Sequence, residues 1–201
     1  MNIAVFASGR GTNFSAIARA VKSGKIKANL ALLVCEKQGA PVLARAKRAG
    51  VKAVLVLRKD SVSKEEFENK IIEHLEENKI GLIALAGFMR MLSPALVRRY
   101  RNQIINIHPS ILPAFKGTES IKDAFLYGAK FTGVTVHFVD EEMDHGAIIL
   151  QGVVQIEEDD TPESLETKIH KLEHKLYPLA INLCLSGRLK VEERRVKVSP
   201  A

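Results

Sequence analysis

Short apolar runs alternate with helix-like segments through the first half of the chain, and this alternation restricts the fold more than any other feature. Residues 3–7, 30–34, 53–57 and 80–86 have the length and composition of strands. The segment from Ser8-Gly9-Arg10-Gly11-Thr12-Asn13 to about Lys22 has a helical pattern. Residues 40–49 do too, with Pro41 in the first turn and Gly50 past the end. Residues 63–78 open on Ser63 and carry Phe67, Ile71, Ile72 and Leu75 on one face, as an amphipathic helix does. Residues 80–86 are apolar throughout, as expected of a parallel strand covered by helices on both sides. The βαβαβαβ order predicts an α/β fold, a doubly wound, mostly parallel sheet with a Rossmann-like N-terminal half.

After Gly87 the rhythm changes. Residues 88–92 lead into Ser93-Pro94, an N-cap followed by proline, and a short helix to about Tyr100. A strand bearing Asn106 and His108 follows, then a loop with Pro113 and Gly117 and a helix near residues 119–127. Residues 133–139 and 147–154 are β runs, and the acidic turn between them predicts antiparallel neighbours. Thr161-Pro162-Glu163 opens a last helix with Leu165, Ile169, Leu172, Leu176, Leu179 and Leu183 on one stripe and a bend at Pro178. The 201 residues suit one domain over 1–201, with halves at 1–100 and 101–190 and a basic tail at 191–201.

With 46% hydrophobic and 26% charged residues, the composition is that of a globular protein. No apolar run approaches the roughly 20 residues of a membrane span, and the N-terminus enters a strand without a signal-peptide pattern. Cys35 and Cys184 lack CxxC spacing and read as buried thiols of a cytoplasmic protein. A net charge of +7 suits an anionic partner. Nucleic acid is disfavoured, because aromatic residues are 5%, Trp is absent and no binding motif accompanies the charge. Much of the excess lies in residues 188–197, which read as a solvated basic end, so a phosphorylated or carboxylated small molecule fits at least as well.

Asn106 and His108 are two residues apart on a strand that Pro109 ends, so both side chains leave by the same face. A neutral hydrogen-bond donor beside a group that titrates near neutrality suits a reaction in which a carbonyl oxygen gains charge and a proton moves. A satisfied turn is the plain alternative. Asp144 is the best partner for the imidazole, since a nearby carboxylate favours imidazolium. Asp140, Glu141 and Glu142 read as solvated turn charges. The loop at residues 8–13, between strand and helix, can hold an anion at the helix start, or be only a tight turn. With Phe14 in place of the last glycine it is not GxGxxG, nor is it a Walker loop, so a single phosphate fits better than a dinucleotide. His74 reads as exposed and His137 as structural. His145 lacks metal-ligand spacing. His170, Glu173 and His174 share one helix flank, which reads equally as a solvated helix face or as part of a site. No GxSxG elbow supports a serine hydrolase.

Several segments, in order over about residues 1–190, resemble the phosphoribosylglycinamide formyltransferase family. They are Ala7-Ser-Gly-Arg-Gly-Thr-Asn-Phe14, Leu85-Ala-Gly-Phe-Met-Arg-Met-Leu-Ser-Pro94, Asn106-Ile-His-Pro-Ser-Ile-Leu-Pro-Ala-Phe115, Thr132-Gly-Val-Thr-Val-His-Phe-Val139, Met143-Asp-His-Gly146 and Glu173-His174-x-x-Tyr177-Pro178. The resemblance implies formyl transfer from 10-formyltetrahydrofolate, a cosubstrate, to the amine of phosphoribosyl-glycinamide in purine synthesis, with no metal. It implies a catalytic set of Asn106, His108 and Asp144. Gly11, Thr12 and Asn13 would hold the ribonucleotide phosphate, and His170, Lys171, Leu172 and Glu173 the rest of that substrate. Lys64, Met89, Arg90, Met91, Leu92 and Asn106, with Asp140, Glu141, Glu142, Met143 and Asp144, would line the folate pocket. Lys64 stands where the family often has Arg, Ala147 where Pro is frequent, and Ile121 where many members are polar. The expected partners are small molecules, not nucleic acid or membrane, and the expected state is monomer or homodimer.

Three other readings share parts of this pattern. A methionyl-tRNA formyltransferase usually adds a C-terminal domain, and a formyltetrahydrofolate hydrolase an N-terminal regulatory one. A non-enzymatic folate or phosphosugar sensor would bind without turnover.

Overall fold

A computed structural model describes residues 1–199. The fold is α/β, with a doubly wound and mostly parallel sheet. The chain divides into two compact units, Met1–Ile105 and Asn106–Ala201.

The first unit contains β1 (Asn2–Phe6), α1 (Thr12–Lys22), β2 (Asn29–Cys35), α2 (Pro41–Ala49), β3 (Lys52–Leu55), α3 (Lys64–Glu77), β4 (Ile80–Leu85) and α4 (Pro94–Arg99). Its strands run in the order β3-β2-β1-β4, and every pair is parallel. Strand β1 is central, and Ile3 through Ala7 are fully buried, which is why these runs needed no polar face. The chain steps from β1 outward to β2 and β3, then returns to the other side of β1 as β4. The loops after β1 and β4 therefore leave the carboxyl ends of two neighbouring strands at a topological switch point, where open α/β sheets bind ligands. They are joined there by Ser8 N–H donating to the Gly87 carbonyl at 3.1 Å.

Two carboxylates organise helix starts in this unit. Ser63 caps α3 by accepting from Glu66 N–H at 3.0 Å, and Glu66 returns by accepting from Val62 N–H at 2.7 Å. Lys70, the principal cause, together with that backbone bond holds the Glu66 carboxyl below its usual range. Glu68, buried on α3, accepts from Ser93 N–H at 2.7 Å and so fixes the N-cap of α4.

Strand β5 (Ile104–His108) starts at the end of the first unit and runs into the second. The second unit continues with α5 (Ser120–Tyr127), β6 (Phe131–Phe138), β7 (Ile148–Gln155), α6 (Pro162–Leu185), β8 (Leu189–Glu192) and β9 (Arg195–Val198). The strand order here is β5-β6-β7-β9-β8. Strands β6 and β7 are antiparallel, as the acidic turn predicted. Helix α6 is capped by Thr161 and Ser164 in a reciprocal box and runs unbroken through Pro178 to Leu185. Its buried positions are Leu165, Ile169, Glu173, Tyr177, Ala180 and Ile181, while Leu179 of the expected leucine stripe is half exposed. Leu172 lies over Gly152 of β7. Burial pushes both thiols up, Cys184 to about 12, and both cysteines are unbridged.

Residues 188–197 keep their basic side chains Lys190, Arg194, Arg195 and Lys197 exposed, but they are paired strand rather than a bare tail. They form the β8–β9 hairpin, with Val191 opposite Val196 and Glu192 opposite Arg195, and β9 meets β7 in parallel at Ile148 and Arg195. Period-two alternation of Leu189, Val191, Val196 and Val198 with charged residues is the strand signal that the net charge obscured. Residues 200–201, the last of the expected tail, lie outside the described residues. Among the described residues no helix is long and apolar enough to cross a membrane.

Candidate active site

The second unit holds a cluster of polar side chains at the end of β5. Alternation buries Ile105 and Ile107 on one face and sends Asn106 and His108 out of the other. His108 is 4% exposed, so its ring nitrogens depend on protein partners. Nε2–H donates to the Phe115 carbonyl at 2.9 Å, and Nδ1 stands 3.5 Å from Asp144 Oδ2. That same Oδ2 accepts from Gly117 N–H at 3.0 Å. One short loop thus supplies an acceptor to the imidazole and a donor to its carboxylate. When the ring is protonated, both nitrogens donate and the pair with Asp144 becomes a buried ion pair.

The loop is held by side chains of β6 and β7. Thr135 Oγ1 donates to the Ser110 carbonyl at 2.7 Å and accepts from Leu112 N–H at 3.0 Å. Gln151 Nε2 donates to Thr135 Oγ1 and to the Leu112 carbonyl, each at 3.0 Å. The two Thr135 bonds to the loop backbone are buried and the two Gln151 bonds partly so, where unmade partners are costly, and together they fix the backbone that presents Phe115 and Gly117.

His137, expected to be structural, belongs to the cluster. Its Nδ1 is 2.8 Å from the Phe138 carbonyl, which can only accept, so the proton of the neutral ring sits on Nδ1. Nε2 then accepts from Asn106 Nδ2 at 3.3 Å. Burial depresses the His137 pKa, with the Phe138 bond and Asp144 opposing, and keeps the ring neutral. The bond turns the Asn106 amide nitrogen toward β6 and leaves its second N–H available to another acceptor. A lone histidine in an apolar strand is the only sequence signal for this contact. The backbone roles of Phe115 and Gly117 have none.

Asp144 lies on the turn that joins β6 to β7. Its φ of 49° is left-handed, and Gly146 follows where a Cβ would sit 1.8 Å from the Phe138 carbonyl oxygen. The Met-Asp-His-Gly sequence is therefore fitted to a closed turn. Asp140 Oδ1 accepts from Glu142 N–H at 3.0 Å, while Glu141, Glu142 and Met143 are exposed. Elsewhere in this unit, His170 Nδ1 is 2.9 Å from buried Glu173 and Nε2 is 3.2 Å from Glu166. Glu173 raises the His170 pKa against the opposing effect of burial. Lys171 is exposed on the same helix.

In the first unit, Gly11–Asn13 and residues 89–92 follow β1 and β4 at the switch point, and Lys64 follows β3. Gly11 is the N-cap of α1 at φ 73°, and no side chain caps the helix start. A Cβ at Gly11 would lie 2.5 Å from Val42 Cγ2 of α2, so the position requires glycine on two counts. Thr12 is half-buried and Asn13 buried in the first turn. Arg45 of α2 donates to the Arg10 carbonyl at 2.7 Å and to Ser15 Oγ at 3.2 Å, adding a positive charge that sequence reasoning did not single out. After β4, Met89 and Met91 are exposed and Leu92 is half-buried. Arg90 pairs with Glu36 at 3.4 Å, and Lys64 is exposed at the start of α3. Among the described residues no group of three or more His, Cys, Asp or Glu side chains could hold a metal ion.

The first unit has a helix start without a side-chain cap at a switch point, the second an amide, an imidazole and a carboxylate at a strand end, and both are features of an α/β enzyme. The family described as formyl transferase matches residues 1–181. The phosphoribosylglycinamide formyltransferase of Bacillus subtilis (strain 168) is 48% identical over 182 residues, 90% of this chain and 93% of that protein. The crystal structure of glycinamide ribonucleotide transformylase 1 from Symbiobacterium toebii superposes with a TM-score of 0.96 at 40% identity, covering 98% of this chain and 93% of that one. The Geobacillus kaustophilus transformylase 1 structure gives 0.89 at 49% identity, covering 92% and 98%. The chain belongs to the phosphoribosylglycinamide formyltransferase family, and it is a formyltransferase.

Proposed function

We propose that the chain transfers the formyl group of 10-formyltetrahydrofolate to the amine of phosphoribosyl-glycinamide, a cytoplasmic step of purine synthesis, with Asn106, His108 and Asp144 as catalytic residues. The observation that carries the assignment is the buried His108 beside Asp144, with the Asn106 amide on the same strand face.

The amine attacks the formyl carbon, and the carbonyl electrons move to oxygen, giving a tetrahedral oxyanion. The Asn106 N–H not used by His137 donates to that oxygen. The His108 imidazolium donates with the Nε2–H that otherwise rests on the Phe115 carbonyl, while Nδ1–H faces Asp144. Such donors act best in a site without water, and losing one costs about 10²–10³ in rate. Collapse breaks the bond to the folate nitrogen, which takes up a proton as the new amide nitrogen loses one. Asp144 and His108 serve that relay. The N-terminus of α1 at Gly11, Thr12 and Asn13 suits the phosphate, with Arg45 as added positive charge. Residues 170–173 serve the rest of the ribonucleotide. Lys64, residues 89–92 and residues 140–144 serve the folate.

A spectrophotometric assay with both substrates tests the reading. Formyl transfer that requires the glycinamide amine is expected. Donor hydrolysis without the amine, or binding without turnover, would refute it.

A further inference from the structure

The hairpin that follows α6 reaches back to the turn carrying Asp144. Arg194, at the β8–β9 turn, directs Nη1 to His145 Nε2 and donates from Nη2 to the His145 carbonyl at 2.8 Å. A guanidinium has no acceptor, so His145 Nε2 accepts and the ring proton sits on Nδ1. From there it donates to Asp140 Oδ2 at 2.7 Å. Asp140 uses its other oxygen on Glu142 N–H. A continuous chain of hydrogen bonds thus runs from the hairpin through the residue next to Asp144 to the opposite stem of the loop.

The charges explain why a cation belongs there. Asp140, Glu141, Glu142 and Asp144 fall within five residues and repel one another. Glu142 Oε2 is 4.0 Å from the His145 ring that Arg194 also addresses. The arginine's backbone is fixed by its neighbour, because Arg195 is registered against Ile148 at the start of β7. A planar fork can meet the ring nitrogen and the carbonyl from two separate nitrogens, whereas a lysine would have to reach both from one.

We propose that Arg194 is a positioning residue for formyl transfer, holding His145 by ring and carbonyl so that residues 140–146 keep Asp144 turned to His108. The inference rests on the reading of Asp144 and this loop given under the proposed function.

The test uses full-length R194A, R194K, the double variant R194A/H145A and D144N, with kcat and KM for each substrate and the unfolding midpoint. Loss of the contact is expected to raise the KM for 10-formyltetrahydrofolate about five- to tenfold and to lower kcat by a similar factor. The KM for the ribonucleotide and the midpoint should stay at the wild-type value. R194K should recover part of the donor KM, and H145A should add little to R194A, because both remove one linkage. Wild-type kinetics in R194A, or equal losses on both substrates with a lower midpoint, would overturn the proposal. If D144N is inactive and R194A is normal, only the role of Arg194 fails. If D144N is active, the reading of the catalytic cluster fails first.

Discussion

Replacing Asp144 with asparagine keeps the shape of the side chain and removes its charge. The carboxamide oxygen can still accept from Gly117 N–H, a 3.0 Å bond in the wild type, so the loop should stay closed. What disappears is the carboxylate 3.5 Å from His108 Nδ1. Two unit charges about 4 Å apart interact by about 4 kcal/mol at an effective dielectric of about 20. The Asp144 side chain is 11% exposed, so solvent screens little of this. At about 1.4 kcal/mol per factor of ten, the ceiling is about a 10³-fold loss of kcat. Relief of the desolvation that both groups suffer in the wild type returns part of it, giving an expected loss of about 10²–10³. Steady-state turnover followed by folate absorbance measures the effect. Ribonucleotide dissociation and the unfolding midpoint, measured on the same sample, should be unchanged. Turnover within about threefold of wild type would refute the electrostatic argument, as would a loss that follows a fall in the midpoint.

Two further expectations concern the loop before α1 and the last helix. Gly11→Ala meets a left-handed φ of 73° and a contact 2.5 Å from Val42 Cγ2, so it should destabilise the fold by about 2–4 kcal/mol and raise the ribonucleotide KM. Adding Val42→Ala should recover part of both, and an additive double mutant in thermal melts would refute the clash. The Glu173 partner raises the His170 pKa. The charged ring therefore contributes its full stability below the unfolded histidine value of about 6.5, and this contribution is lost as pH rises through the higher folded value. Urea unfolding of wild type and H170Q should show a gap that is largest in mildly acid buffer and closes toward alkaline pH. A gap independent of pH would remove the ion pair from the account.

How far the sequence reveals this molecule depends on whether a feature resides in side-chain periodicity or in backbone placement. The strands around β1 were legible because both faces are buried, and their apolar runs have no other use. The antiparallel β6–β7 pair was legible because an acidic turn separates two β runs. The helix α6 was found, but its stripe was misassigned at Leu179, since Tyr177 and Glu173 fill buried positions that an apolar count passes over. The β8–β9 hairpin was hidden by its own charge. Asn106, His108 and Asp144 could be picked out by residue type and spacing. Their supports could not. The Phe115 carbonyl and Gly117 N–H are main-chain groups common to any sequence, and His137 and Arg194 gain their partners only through strand register.

Single-turnover formyl transfer from 10-formyltetrahydrofolate to the ribonucleotide by His108→Ala, with ribonucleotide affinity measured on the same protein, is the most direct test of the central claim. An oxyanion donor at His108 predicts a rate lower by about 10²–10³ with affinity unchanged. A rate close to wild type would contradict it.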